Sequence, residues 1–319
     1  MSNERPPFDR ELEAVVAAIA SSAPATVTAD MIPELRRVEM PGASRAAVEG
    51  AGLVARDVTA PSYDGTEIVL SVIHRPGRTG TGPGIYYIHG GGMVMGDRWN
   101  GVLGLVEWTQ RLNAVIITVE YRLAPEHPDP TPVEDCYAGL AWTAAHSEEL
   151  GIAPGRLMVA GASAGGGLAA GTTLLARDRR GPTLCAQLLM CPMLDDRDDT
   201  VSTAQFDGVG TWSRGSNATG WTALLGDRRG TEDVSVYAAP ARATDVAGLP
   251  PTYIDCGSAE VFRDEDVAYA TSIWSAGGQA ELHVWAGGFH GFDVFAPDSE
   301  VTARAVTTRN NWIARVLSA

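Results

Sequence analysis

The chain has 319 residues and a formal net charge of −15, with 45% hydrophobic and 20% charged residues. This composition is typical of a globular protein with one large α/β domain and an appended lid, or with two domains. The negative charge argues against a nucleic-acid partner and against anionic lipid head groups, because both attract basic surfaces.

Cysteine usage and the N-terminus bear on metal sites and location. The four cysteines form no Cys-x-x-Cys pair. We therefore expect no zinc site, no redox motif and no disulfide framework, and we expect Cys185 and Cys191 to be core residues beside a buried strand. Met1–Pro7 lacks a basic stretch followed by an apolar one, and no apolar run approaches ~20 residues. The sequence thus predicts a cytoplasmic protein without a signal peptide or a membrane span.

Two helices are predicted near the N-terminus. Residues 8–22 form an amphipathic pattern whose apolar members share one helical face: Leu12, Val15, Val16 and Ile19. A second short helix is predicted over residues 29–38. Neither segment carries a chemical motif, and their apolar faces need a cover. A lid packed over a site is one candidate arrangement.

Strand patterns begin near Val54. The turn signal Tyr63-Asp64-Gly65-Thr66 lies between Ala51–Ala60 and Glu67–His74 and predicts a β-hairpin. Buried strands then alternate with helices. The predicted strands are Ile85–Ile88, Val115–Val119, Leu157–Ala160, Gln187–Met190, Thr252–Asp255 and Leu282–Trp285. The predicted helices cover residues 102–112, 132–148, about 164–177, 264–276 and 299–317. This alternation predicts an α/β fold with a mostly parallel sheet flanked by helices, and the hairpin adds antiparallel strands at one edge.

Residues 195–245 interrupt this alternation. The acidic run Asp195–Asp199 is predicted to be a solvated connection. Trp212 and Trp221 follow in a stretch with helical patterns and no strand. Because the insertion separates two core strands on the side where loops bind ligands, it predicts a cap.

The most specific local pattern is Gly161-Ala162-Ser163-Ala164-Gly165, which follows a buried strand and precedes a helix. This context is the one that a Gly-x-Ser-x-Gly nucleophile elbow requires. The pattern alone also occurs by chance in glycine-rich chains. It matches neither a dinucleotide fingerprint nor a phosphate loop.

A serine nucleophile needs a base, and the base needs an orienting carboxylate. In this strand–turn–helix context the chain order is serine, acid, histidine. His283 falls inside a predicted strand, whereas His290 lies in a glycine-flanked loop after it, so His290 is the candidate base. Among the carboxylates after the preceding strand, Glu260 is the first choice for the acid, and Asp264 is the second.

Oxyanion donors are expected after an earlier strand. Ile85–Ile88 is followed by His89-Gly90-Gly91-Gly92, a glycine-rich loop of the kind that supplies backbone donors in lipases and esterases. A run of glycines is more often a plain turn. Its place directly after a buried strand, together with the elbow, favours the functional interpretation.

Taken together, these motifs resemble the hormone-sensitive-lipase-like family of α/β-hydrolases, the bacterial family IV esterases. Besides the glycine loop and the elbow, the resemblance includes Tyr121–Pro128 and Phe289–Phe292. It implies Ser163 as nucleophile, His290 as base and Glu260 as acid. It also implies an oxyanion hole formed by the following residues: Gly91, Gly92 and Ala164.

The resemblance further implies a domain plan, and bulky apolar residues in a cap near the site favour a substrate class. A cap would combine N-terminal helices in residues 1–48 with the insertion 195–245, and the catalytic domain would comprise residues 49–194 and 246–319. Short- to medium-chain carboxylic esters are the expected substrates, with Met93 and Trp212 near the acyl group. We expect no metal and no cofactor, and a homodimer is an expectation from resemblance only.

The chain departs from the family pattern at several positions. The family usually has Asp where this chain has Glu260, and Met93 stands where an aromatic residue is common. The residues of Tyr121–Pro128 are expected to position loops rather than react. Two other functions stay open: a non-catalytic binder of small molecules on the same scaffold, and an amidase or lactonase with the same residues.

Overall fold

A computed structural model describes residues 4–38, 40 and 42–318. Residues 1–3, 39 and 41 belong to the predicted N-terminal cap segment and lie outside the described residues, as does residue 319. The prediction that no signal peptide is present concerns Met1–Pro7 and therefore falls partly outside them too. Within the described ranges, no helix has both the length and the apolarity needed to cross a membrane.

The described residues form one eight-stranded sheet with the order β1-β2-β4-β3-β5-β6-β7-β8. Strand β2 runs antiparallel to both β1 and β4, and the other neighbours are parallel. The strands are β1 (Val54–Pro61), β2 (Glu67–His74), β3 (Gly82–Ile88), β4 (Val115–Glu120), β5 (Ile152–Ala162), β6 (Ala186–Met190), β7 (Thr252–Gly257) and β8 (Ala280–Trp285). The predicted hairpin and the predicted parallel sheet are both confirmed.

The helices follow the predicted alternation. They are α1 (Arg10–Ser22), α2 (Ile32–Leu35), α3 (Arg45–Gly50), α4 (Val106–Leu112), α5 (Thr131–Ala145), α6 (Ala164–Asp178), α7 (Val201–Gln205), α8 (Arg214–Leu225), α9 (Arg263–Ser275), α10 (Phe292–Phe295) and α11 (Glu300–Ser318). The helix predicted over residues 29–38 is a 3₁₀ turn, Ala29–Met31, that continues into α2. The short helices α3 and α10 were not predicted.

Apolar residues cover both faces of the sheet because helices lie on both sides. Ile117 of β4 belongs to a core cluster with Leu140 of α5 and Leu174 of α6. Its neighbour Ile116 belongs to a second cluster with Trp312 of α11. Successive side chains of a strand point to opposite faces, so a strand buried on both sides is a continuous apolar run.

The acidic run Asp195–Asp199 is not the solvated connection that the sequence predicted. Asp196 is fully buried and accepts two hydrogen bonds from Arg242, at 2.5 and 3.0 Å. Asp198 is also buried and pairs with Arg214. Arginines distant in sequence neutralise these carboxylates, so the run is an internal anchor for the insertion.

The two segments of the predicted cap contact each other. The backbone N–H of Val27 donates to Ser216 Oγ at 2.8 Å, which joins the N-terminal segment to α8. Arg36 donates to the backbone carbonyls of Val94 and Ala124, at 2.7 and 2.6 Å. The N-terminal segment is therefore tied both to the insertion and to the loops after β3 and β4.

Candidate active site

The loop after β5 makes a strained turn that presents Ser163. This residue has φ 56° and ψ −123°, a conformation that L-residues rarely adopt. Glycine is required on both sides. A Cβ on Gly161 would lie 2.1 Å from the Gly165 carbonyl oxygen, and a Cβ on Gly165 would lie 2.2 Å from the Ile88 carbonyl oxygen. The two glycines therefore let β3, β5 and the start of α6 approach at backbone distance.

Three side chains from separate loops form one line of hydrogen bonds. His290 Nε2 lies 2.9 Å from Ser163 Oγ, and His290 Nδ1 lies 2.6 Å from Glu260 Oε2. The other oxygen of Glu260 accepts the backbone N–H of Gly257 at 2.6 Å. Glu260 is only 2% exposed. An ionised carboxylate only accepts hydrogen bonds, so Nδ1 carries the imidazole proton and Nε2 is free to accept the serine proton.

The alternative candidates lie elsewhere. Asp264 accepts the backbone N–H of Ser202 at 2.8 Å and pairs with Arg263. His283 lies in the edge strand β8, stacked on Trp285 and 3.2 Å from Glu281. The carboxylate that faces His290 Nδ1 is therefore that of Glu260.

The glycine loop after β3 lies against the elbow. A Cβ on Gly90 would be 3.2 Å from Ser163 Cβ. Gly91 and Gly92 have φ of 117° and 62°, which favour glycine. Within the described ranges, no backbone or side-chain group accepts a hydrogen bond from the N–H of Gly91, Gly92 or Ala164. Ala164 begins α6, where the helix dipole favours negative charge. The glycine loop and the start of α6 thus hold three backbone donors that have no acceptor among the described residues.

The buried side chain of His89 stabilises the conformation of this glycine loop. Its Nδ1 lies 2.8 Å from the Gly90 carbonyl oxygen, and its ring stacks on Tyr121 at 4.2 Å between centroids. The Tyr121 hydroxyl donates to the His89 carbonyl at 3.0 Å. Burial lowers the pKa of His89 to about 4, so the ring is neutral near pH 7 and Nδ1–H donates to Gly90. Tyr121 thus positions the loop, as expected of the Tyr121–Pro128 segment.

The two residues predicted to contact substrate differ in setting. Met93 has φ 63° and a fully buried side chain, and it belongs to the same core cluster as Ala124. Trp212 is 8% exposed and lies over Gly92, where a glycine Cβ would be 2.4 Å from the indole ring. A role for either residue in substrate binding stays a prediction.

Two residues beside the site were missed from the sequence. The Thr211 hydroxyl donates to the His290 carbonyl at 2.5 Å, so the insertion contacts the histidine loop directly. Cys191, expected in the core, is partly exposed and lies beside Glu260 and His290. Although part of the residue is exposed, desolvation of the thiol and the nearby Glu260 charge raise the pKa of Cys191 well above its usual value. Neither position belongs to a motif, and only the packing of separate loops brings it to the site.

Known proteins match this chain over most of its length. The sequence profile of the alpha/beta hydrolase fold matches residues 85–294. Carboxylesterase NlhH of Mycobacterium tuberculosis is 34% identical over 242 residues, which cover 73% of this chain and 74% of NlhH. The chain belongs to the hormone-sensitive-lipase-like esterases of the α/β-hydrolase superfamily.

A solved esterase structure and a second mycobacterial esterase agree with this assignment. The solved structure of a bacterial heroin esterase is 38% identical, with a TM-score of 0.87, covering 97% of this chain and 98% of that one. Esterase LipI of Mycobacterium tuberculosis is 35% identical over 216 residues, which cover 63% of this chain and 62% of LipI. The chain thus spans less than two thirds of the length of LipI.

Proposed function

We propose that this protein is a serine carboxylesterase that acts through an acyl-enzyme intermediate. One observation carries the proposal: the Ser163 hydroxyl lies 2.9 Å from a histidine whose other nitrogen faces a buried carboxylate. Family membership supports it, because NlhH and LipI are both named as esterases. A serine hydroxyl is a weak nucleophile at neutral pH, and this arrangement supplies the base that it needs.

In the proposed mechanism His290 Nε2 takes the Ser163 proton as Oγ attacks the ester carbonyl carbon. Glu260 stabilises the imidazolium that forms and keeps the ring oriented, without taking the proton itself. The carbonyl oxygen becomes an oxyanion that Gly91, Gly92 and Ala164 N–H groups stabilise. The imidazolium then protonates the leaving alcohol. A water molecule, deprotonated by His290, hydrolyses the acyl-enzyme and restores the serine.

The proposed substrates are esters of short- to medium-chain acids. The indole of Trp212 lies directly over Gly92, one of the proposed oxyanion donors, so bulky groups have little room on that side of the carbonyl. Two relatives carry a substrate in their names: the bacterial heroin esterase and a bovine arylacetamide deacetylase, which is 30% identical over 292 residues. The second name is the specific reason to keep amide hydrolysis as a further candidate.

The test is hydrolysis of p-nitrophenyl acetate, butyrate, octanoate and palmitate by the wild type and by S163A. S21A is a matched control, because Ser21 is an exposed serine on α1. We expect S163A to lose at least about 10⁴-fold in kcat, because loss of the nucleophile removes the covalent route. S21A should match the wild type, and palmitate should be the poorest substrate. Undiminished hydrolysis by S163A would exclude the mechanism.

Labelling by an organophosphate separates the esterase from a non-catalytic binder. The wild type should gain one covalent phosphonyl group, located at Ser163 by peptide mass spectrometry, and S163A should gain none. A binder with an inert serine would stay unlabelled. Assays with an aryl acetamide beside the matching aryl acetate then compare amide with ester hydrolysis.

The proposed partner is therefore a small ester. The homodimer stays a prediction. The edge strand β8 carries the exposed Val284, and sedimentation velocity of the wild type tests whether two copies associate.

A further inference from the structure

We propose that Cys191, Glu260 and His290 form an inhibitory binding site for a thiophilic divalent cation such as Zn²⁺ or Cd²⁺. The inhibitory effect rests on the proposed esterase function, whereas the binding site itself rests only on the geometry. The site was not expected from the sequence, which contains no Cys-x-x-Cys pair.

The backbone brings the thiol to this position. Cys191 directly follows β6, and its N–H donates to the Asp255 carbonyl of β7 at 2.6 Å. Its φ of 38° turns the chain out of the strand at that point. The Cys191 sulfur, a ring nitrogen of His290 and a carboxylate oxygen of Glu260 all lie within 4.8 Å of one another. Three loops that are distant in sequence therefore supply three ligand atoms.

The donor set suits a borderline-soft ion. Zinc binds thiolate, imidazole and carboxylate at roughly 2.0–2.3 Å, and tetrahedral geometry places such ligands about 3.3–3.7 Å apart. The sulfur must approach by up to about 1.3 Å, and the 2.6 Å contact between His290 Nδ1 and Glu260 must open by about 1 Å. A water molecule can complete the tetrahedron, as in sites with three protein ligands. A thiolate also selects against Mg²⁺ and Ca²⁺, which prefer oxygen.

The surrounding charge also favours a cation. Asp255 and Asp293 lie near, but both already pair with Arg309. Among the described residues Glu260 forms no ion pair with an arginine or a lysine, and the imidazole that it orients carries a single proton in the arrangement described above. A divalent ion at this point would therefore meet an uncompensated carboxylate.

Occupation of the site would stop the proposed chemistry through the tautomer of His290. The ion replaces the proton on Nδ1, and that proton moves through solvent to Nε2. The Cys191 thiol gives up one proton to solvent as its sulfur binds the metal. Nε2 then carries a hydrogen and can only donate toward Ser163, so it can no longer accept the serine proton. The nucleophile stays unactivated while the ion is bound.

Binding is measured first, in S163A, so that it does not depend on activity. Titration with CdCl₂ should produce the ultraviolet charge-transfer band of a Cd–thiolate bond at one equivalent. The band should disappear in S163A/C191S and in S163A/C191A, and it should persist in S163A/C185S, because Cys185 is the other partly exposed cysteine. Thermal melts establish that each variant is folded. A band that persists without Cys191, or that is absent from S163A, overturns the site.

Inhibition is measured second. The rate of p-nitrophenyl butyrate hydrolysis is followed against ZnCl₂, with each variant normalised to its own metal-free rate. The concentration for half inhibition should rise by at least about tenfold in C191S, since even loss of an outer-shell partner lowers metal affinity 10–100-fold. C185S should match the wild type. A Cys191-dependent Cd band in a protein without esterase activity would support the site and refute the proposed function. Equal inhibition of C191S and the wild type would overturn the inhibitory role.

Discussion

Replacement of Glu260 by Gln should abolish most activity, because the backbone N–H of Gly257 dictates how the glutamine amide is oriented. The carboxylate accepts two hydrogen bonds, one from Gly257 N–H and one from His290 Nδ1–H, each at 2.6 Å. A glutamine has only one acceptor oxygen. The Gly257 N–H cannot change sides, so the amide oxygen must face it, and the amide NH₂ must then face His290.

That orientation forces the wrong imidazole tautomer. An NH₂ facing Nδ1 requires Nδ1 to be unprotonated, and the proton then lies on Nε2, pointing at Ser163. The opposite flip would place two donors together in a site where residue 260 is 2% exposed. The equivalent change in a serine protease lowers kcat about 10⁴-fold, which corresponds to about 5.5 kcal/mol of barrier.

E260D provides the comparison, because it keeps the charge and shortens the side chain. One methylene fewer withdraws the carboxylate by about 1.5 Å, which opens the 2.6 Å contact to about 4 Å unless the loop moves. A misplacement of this size costs about 10²-fold. The assay is kcat for p-nitrophenyl butyrate, with the fraction of active enzyme titrated by an organophosphate and folding checked by thermal melting. The order should be wild type, then E260D, then E260Q. A folded E260Q within tenfold of the wild type would refute the role assigned to the carboxylate.

Three further predictions concern the residues that surround the site. Burial lowers the pKa of His89 to about 4, so as the pH falls below about 6.5 the imidazole is protonated in the unfolded chain before it is protonated in the folded one. Between pH 6.5 and 4 the free energy of unfolding of the wild type, measured in urea, should therefore fall by about 3 kcal/mol more than that of H89N. The same pH dependence in both proteins would contradict this. T211V deletes the hydroxyl that donates to the His290 carbonyl, so kcat should fall about tenfold with little change in KM, whereas T211S should retain activity. An unchanged kcat in T211V would exclude a positioning role for Thr211. Because R242A leaves the buried Asp196 carboxylate without its cation, the free energy of unfolding in urea should fall by about 3–5 kcal/mol. A loss below about 1 kcal/mol would mean that the Asp196–Arg242 pair does not anchor the insertion.

Local patterns in the sequence were enough to predict the sheet and its helices. The strand Val115–Val119 was predicted because a run of β-branched residues, four of the five apolar, suits a strand covered on both faces, and the observed strand is Val115–Glu120. Such patterns depend on residues that are neighbours in the chain, so they can be recognised without knowledge of the tertiary structure. The short helix α3 carries too few residues to show a period, and it was missed for that reason.

The candidate site also combines residues that the sequence predicted with contacts that only the folded structure shows. Ser163 and His290 were predicted because each lies in a glycine-flanked turn after a strand, and the order of strands along the chain carries both to one edge of the sheet. Glu260 was preferred to Asp264 because it comes first after its strand, whereas Asp264 falls at the start of the next helix, where the helix dipole already accounts for an acidic residue. The hydrogen bond from Gly257 N–H, which orients the carboxylate, is a property of the folded loop.

The sequence by itself therefore determined which strands build the sheet and which loops meet at its edge, because periodicity and turn chemistry are local. Only the tertiary structure decided that Cys191 lies beside the histidine, that Thr211 holds the carbonyl of His290, and that Asp196 is buried on Arg242. These contacts join residues 46 to 99 positions apart. They depend on how the loops pack against one another, and a pattern of residues adjacent in the sequence carries no information about such long-range contacts.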